Sequence, residues 1–222
     1  MRLKKHSTIA LIISLVSLIG FSIMVLLIAN QNVILFDHNV ISFIQGFEGP
    51  SLTSIMKFFT YIGSYHSMIV IILIIVIFLY IVLKHRLEII LLLTVVITTP
   101  ILNGLLKQSF QRARPEFHRL IDIGGYSFPS GHAMNAFAFY GILTFLLWRH
   151  IPNPAGRTIL IVFNGLFIMM IGISRIYLGV HYPSDIIAGY CVSGFWLTIV
   201  IWSFQKYRDR LGTKKQSGRR GK

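Results

Sequence analysis

The sequence predicts an all-α, polytopic membrane protein built as a six-transmembrane-helix bundle, and three observations predict it. Of its 222 residues 55% are hydrophobic and 13% charged, with a mean hydropathy of +0.72, which is too apolar for a soluble domain of this length. Six nearly uncharged runs approach or exceed the roughly 20 residues needed to cross a bilayer core about 30 Å thick. The lysines and arginines alternate between the connecting segments, and one side of the bundle receives fifteen of the 21.

The first run, 8–29, follows MRLKKH and is longer than the roughly 7–15 apolar residues of a secretory signal. No small-x-small cleavage site clearly follows it, so it reads as a retained helix. The segment 30–65, with FDHNVISFIQGF and SLTSIMKFF, is too interrupted to span. It predicts an amphipathic helix lying in the outer interface, with packing against the bundle as the plainer alternative. The second run is 66–83. The third, 87–106, carries Glu88 only at its end, where a carboxylate reaches the interface, and Pro100, Asn103 and Gly104 are its only hint of a break.

The fourth run, 132–148, starts after Pro129, and the fifth is 158–174. The sixth, 184–204, should begin near Tyr182 or Pro183, because proline is costly inside a helix and welcome in its first turn. Residues 1–205 form one domain, followed by a basic tail at 206–222 whose composition favours disorder. Trp148, Trp196 and Trp202 read as belt or packing residues. Cys191, the single cysteine, lies in an apolar helix and excludes an intrachain disulfide.

With the N-terminus inside, the cytoplasmic segments hold Arg2, Lys4, Lys5, Lys84, Arg86, Arg149, Arg157 and the tail, while six basic residues fall outside. Six spans then place both termini in the cytoplasm. The net charge of +14 is read as this topology signal, which also attracts anionic inner-leaflet lipids. A nucleic-acid partner is not expected, since no zinc-finger, RNA-binding or helix-turn-helix pattern accompanies the charge.

The remaining polar residues form three motifs. KQSFQRARP begins at the end of the third helix, YSFPSGH stands at the start of the fourth, and SRIYLGVHYPSD bridges the fifth to the sixth. In an alternating bundle the end of an odd helix and the start of an even one share a side. Topology therefore gathers Lys107, Arg114, Ser130, His132, Arg175, His181 and Asp185 at the outer face. Arginine matches phosphate oxygens with a planar fork and lysine adds a compact charge, so the partner should be a multiply charged oxyanion. PSGH adds the free N–H groups of a helix start, with Gly131 allowing close approach and Ser130 offering a hydroxyl. Asp185, in the first turn of the sixth helix, is close enough to hold one nitrogen of His181 and leave the other free to attack.

These motifs resemble those of the type-2 phosphatidic acid phosphatase family of integral membrane lipid phosphatases, over residues 107–185 and in the same order and spacing. The resemblance implies that His181 is a nucleophile forming a phosphohistidine, oriented by Asp185, and that His132 is the general acid. It further implies that Lys107, Arg114, Ser130, Gly131 and Arg175 cradle the phosphate, without metal or cofactor. The chemistry of phosphate ester cleavage agrees, since it needs fixed cations, a nucleophile and a proton donor together.

Arg112, Glu116, His118, Arg119 and Asp122 lie in the outer loop, where solvated charge is the default and headgroup contact the lesser alternative. Glu116 and Asp122 are weak evidence for a metal. The expected substrate is a membrane lipid phosphate. Undecaprenyl diphosphate and phosphatidylglycerol phosphate are favoured, phosphatidic acid is open, and no obligate protein partner is expected. The expected location is a bacterial cytoplasmic membrane. The principal rival is a lipid-phosphate transporter or flippase using the same cations without hydrolysis. Carriers place such groups near the midplane, and these motifs sit at helix ends. Vanadate-dependent peroxidases share a similar pocket and are soluble. An inactive relative is disfavoured because no matched position is altered.

Overall fold

The computed structural model describes residues 2–81, 84, 86–116 and 118–220, with side chains for those from 8 to 210. Eight helices follow one another: α1 Arg2–Ala29, α2 Ile34–Gln45, α3 Pro50–Ile62, α4 Tyr65–Ile81, α5 Arg86–Phe110, α6 Gly131–Trp148, α7 Pro154–Tyr177 and α8 Pro183–Arg220. No strand occurs among the described residues. Each of the six predicted apolar runs coincides with a helix, although positions 82 and 83 of the second lie outside the described residues.

Length and apolarity qualify four helices to cross a membrane: Thr8–Ala29 of α1, α5, α7, and Pro183–Arg210 of α8. A fifth span arises if α3 and α4, bent by 55° at their junction, are taken as one. The 17-residue α4 taken alone and α6, whose first turns carry His132 and Asn135, stand outside that count. The segment 30–65 folds as two helices where the sequence led us to expect one, because Gly46 and Gly49 interrupt it and Pro50 starts α3. The basic tail, whose composition favours disorder, continues α8 as far as Arg220, through Lys, Arg and Gln residues that propagate a helix well.

α6 is the centre of the bundle. It packs against α5, α7 and α8, and Ala133, Met134, Ala136, Ala138, Phe139, Tyr140, Ile142 and Leu146 are buried along it. Its C-terminal half joins Leu91, Leu92 and Val95 of α5 and Leu197 of α8 in one apolar cluster. Another cluster ties it to Met68 and Ile72 of α4 and Ile171 of α7. Outward-facing residues such as Leu11, Ile74, Ile159 and Val162 are apolar and exposed, as a lipid-facing surface requires.

Small residues let the helices close. A Cβ on Gly20 of α1 would meet Cys191 Sγ at 3.0 Å, so this cysteine serves α1–α8 packing. Added carbons at Gly141 and Gly172 would strike Leu197 at 2.5 Å and Ile186 at 2.8 Å. Polar contacts hold both ends of the α5–α6 pair. Arg149 at the end of α6 pairs with Glu88 at the start of α5, while Asn103 Nδ2, near the end of α5, donates to the Pro129 carbonyl just before α6 at 3.0 Å. Antiparallel packing thus brings the C-terminal end of α5 to the N-terminal end of α6. The α7–α8 turn joins them there.

Candidate active site

The sixth predicted helix begins at Pro183 as its proline requires, and His181 lies in the turn that precedes it, 2% exposed. That turn is held from both sides. Gly179 adopts φ +72°, and a Cβ there would collide with the His118 carbonyl at 2.3 Å. The Leu120 N–H donates to the Leu178 carbonyl at 3.1 Å, docking the 111–130 loop onto the turn.

Asp185, fully buried in the first turn of α8, is surrounded by donors. Its Oδ2 accepts from Ser127 Oγ, from the Tyr182 N–H at 3.0 Å and from His181 Nδ1 at 3.4 Å. Its Oδ1 accepts from Arg112 at 2.6 Å. On the other side of the ring, Arg114 Nη1 lies 3.2 Å from His181 Nε2 and donates to the Val180 carbonyl at 2.7 Å. A guanidinium has no acceptor, so Nε2 offers its lone pair and the proton resides on Nδ1, facing Asp185. Burial pushes the His181 imidazole down to about 4. The Asp185 contact opposes this, and the Arg175 and Arg114 charges reinforce it.

Arg175, on the last turn of α7, is 1% exposed. Its Nη1 donates to Thr60 Oγ1 at 3.3 Å, and its Nε is buried with no partner within the protein. An orphaned guanidinium N–H at this place is what an anion site needs. Lys107 lies within electrostatic reach of Arg114, Arg175 and Asp185, and His132 within reach of Arg175, His181, Arg114 and Lys107. Partial burial works against the Arg114 charge, while Asp185 supports it.

At the start of α6, Ser130 is the N-cap, with Oγ 3.5 Å from the Ala133 N–H, and its own N–H donates to the Asp185 carbonyl at 3.2 Å. Gly131 follows, pressed against Asn103. All eight residues singled out from the motifs therefore converge on one end of the bundle. Three cations and a helix N-terminus grouped around the His181 imidazole make a setting suited to a tetrahedral oxyanion.

Several neighbours were not foreseen. Arg112, expected to be solvated, is pulled in by Asp37 and Asp185. Asp37 of α2, Thr60 of α3, Asn103 of α5 and Ser127, which lies inside YSFPSGH, also support site residues. A carboxylate following the apolar ILF at the start of the segment was the available signal for Asp37. His118 pairs with Glu48 at 3.1 Å, Arg119 donates to the Pro115 carbonyl at 2.5 Å, and Glu116 and Asp122 are exposed.

The PAP2 superfamily profile matches residues 87–209. Over 118 residues the chain is 34% identical to phosphatidylglycerophosphatase B of Bacillus subtilis (strain 168), covering 53% of this chain and 58% of that protein. Over 125 residues it is 32% identical to lipid A 1-phosphatase of Rhizobium etli, covering 50% of this chain and 48% of the relative. The chain thus spans only about half the length of these two relatives. The crystal structure of a transmembrane PAP2 type phosphatidylglycerolphosphate phosphatase from Bacillus subtilis superposes with a TM-score of 0.81 at 28% identity, over 87% of this chain and 96% of that one. The profile takes in more than half of the chain and all three of the motifs that meet at the α6 N-terminus, so the protein belongs to the PAP2 superfamily.

Proposed function

We propose that the protein is a lipid phosphate phosphatase that hydrolyses the phosphate or diphosphate headgroup of a membrane lipid through a phosphohistidine intermediate. The observation that carries the reading is the His181 ring, held between Asp185 and Arg114 with its Nε2 lone pair turned toward the Arg114 guanidinium. Nε2 attacks phosphorus while the bond to the lipid oxygen breaks, and His132 gives the leaving oxygen its proton. Water then attacks the phosphohistidine, His132 takes the proton back, and inorganic phosphate departs. Lys107, Arg114, Arg175, Ser130 and the N–H groups that begin at Gly131 oppose the charge on the transferring oxygens throughout. These residues do the chemistry without a metal.

The site opens at the outer leaflet of a bacterial cytoplasmic membrane, with both termini in the cytoplasm and the lipid chains remaining in the bilayer. The excess of lysine and arginine at the opposite end of the bundle supports this orientation. Undecaprenyl diphosphate and phosphatidylglycerol phosphate are the favoured substrates. Relatives named for phosphatidylglycerophosphate and lipid A support a lipid phosphate without selecting one.

The test is phosphate release by purified protein in detergent with excess chelator, from those two lipids, phosphatidic acid, a lipid A phosphate and water-soluble phosphate esters. Rapid release from one lipid supports the reading and identifies the substrate. Silence across the panel from folded protein overturns it, and a flux assay in vesicles then examines transport.

A further inference from the structure

Asp37 lies in the first turn of α2, a helix outside all three motifs, and is 1% exposed. A buried carboxylate is costly unless it is met by donors. It is met by three, all of them leading to the start of α8. Its Oδ1 accepts the Ser184 N–H at 2.9 Å, while its Oδ2 accepts Ser184 Oγ at 2.6 Å and Arg112 Nη2 at 2.9 Å. Arg112 Nη1 donates to Ser184 Oγ at 2.7 Å and to Asp185 Oδ1 at 2.6 Å, and the guanidinium stacks over the Tyr182 ring at 4.1 Å from its centroid. One arginine thus bridges two buried carboxylates from separate helices, and its Nη1 protons are committed to Ser184 and Asp185.

We propose that Asp37 and Arg112 are positioning residues: α2, through Asp37, fixes the Arg112 fork, which holds Asp185 in the orientation that aims His181 at the phosphate. The inference rests on the phosphatase reading above. Asp185 accepts on Oδ1 from Arg112 and on Oδ2 from His181, Ser127 and the Tyr182 N–H, so a change of angle at Oδ1 is transmitted to the contact that sets the His181 tautomer. Arg112 acts through Asp185 and not on substrate. Its loss should therefore appear in turnover rather than in substrate affinity. The arrangement also gives the segment 30–65 a role in the site: one helix of it supplies the far end of the clamp.

The experiment compares wild type, Asp37→Asn, Arg112→Gln, Arg112→Lys and the Asp37→Asn/Arg112→Gln double variant, each in detergent, for kcat, KM and thermal unfolding. The panel that identifies the substrate supplies the probe. Asp37→Asn and Arg112→Gln should each lower kcat by about 10- to 100-fold, the range seen when an outer partner that orients a metal-bound histidine is lost. KM should stay within about twofold. The double variant should be no worse than Arg112→Gln alone, since both act through one contact. Arg112→Lys keeps the charge and loses the fork, and should not recover kcat.

Unchanged kcat in these variants with an active wild type overturns the clamp and leaves the phosphatase reading standing. So does a lower unfolding temperature with kcat preserved, which marks a purely structural contact. A silent wild type overturns the phosphatase reading and the clamp with it. Should Asp37→Asn fail to fold, Arg112→Lys carries the test by the same kcat and KM criteria.

Discussion

Replacing Gly131 with alanine should damage packing and phosphate binding together. A methyl group there would lie 2.9 Å from Asn103 Oδ1 and 3.5 Å from its Cγ, closer on the oxygen than the roughly 3.3 Å at which carbon and oxygen first meet comfortably. Asn103 has little freedom to retreat. It is 8% exposed, and its Nδ2 donates to the Pro129 carbonyl at 3.0 Å and to Met134 Sδ at 3.1 Å. Moving it abandons the Pro129 bond and leaves a buried carbonyl without its donor, which costs about 1–3 kcal/mol. At roughly 2–4 °C per kcal/mol for a chain of this size, thermal unfolding in detergent should fall by several degrees. The same methyl would stand beside the first N–H groups of α6, where a phosphate must come close, so kcat/KM for phosphate release should fall by about tenfold or more. Adding Asn103→Ala removes the amide that the methyl strikes. The double variant should then be no less stable than Asn103→Ala alone, while kcat/KM stays low. Gly131→Ala with unaltered unfolding and unaltered kcat/KM would refute the close-approach argument.

Further outcomes follow from the proposed roles. His132→Ala should cost on the order of 10² to 10⁴ in rate, most for poor leaving groups, and an equal loss across leaving groups in a series of soluble esters would count against an acid role. His181 should stay neutral down to about pH 4, well below the ordinary histidine value of 6.5, because burial opposes its charge. Between those values the unfolded chain takes up a proton that the folded chain refuses, so this group makes stability rise with pH from about 4 to 6.5 and contributes no slope above it. NMR of histidine-labelled protein, with His181 assigned through His181→Gln, checks this, and a midpoint near 6.5 contradicts the burial argument. Thr60→Val removes an acceptor of the Arg175 Nη1 proton and should raise KM for the lipid phosphate severalfold, and unchanged KM denies Thr60 that positioning part.

Much of the fold was legible because a bilayer imposes a coarse rule. Long apolar runs and the placement of lysine and arginine suffice to order the helices, and alternation then gathers the ends of α5 and α7 with the starts of α6 and α8. Pro183 and Pro129 announced two helix starts through local chemistry. The segment 30–65 was harder to read as two helices, since Gly46 and Gly49 divide one amphipathic stretch and both helices pack against α7. Arg112 illustrates the same limit within the site. Its place in a charged loop suggests solvent, and two carboxylates, 75 positions earlier and 73 later, brought near by the fold, draw it inward. Asp37 and Thr60 were hard to read for that reason, since each acts through a partner distant in sequence, and Ser127, although inside YSFPSGH, meets Asp185 58 positions away.

The central claim is that His181 carries the phosphoryl group. The most direct test mixes the purified protein with substrate labelled in the transferred phosphate, quenches within milliseconds to seconds and locates the label by peptide mapping. The account predicts an acid-labile, base-stable phosphoryl group on the His181 peptide, absent from His181→Gln and more persistent when His132→Ala slows its hydrolysis. Label on another residue, or turnover that persists in His181→Gln, would contradict it.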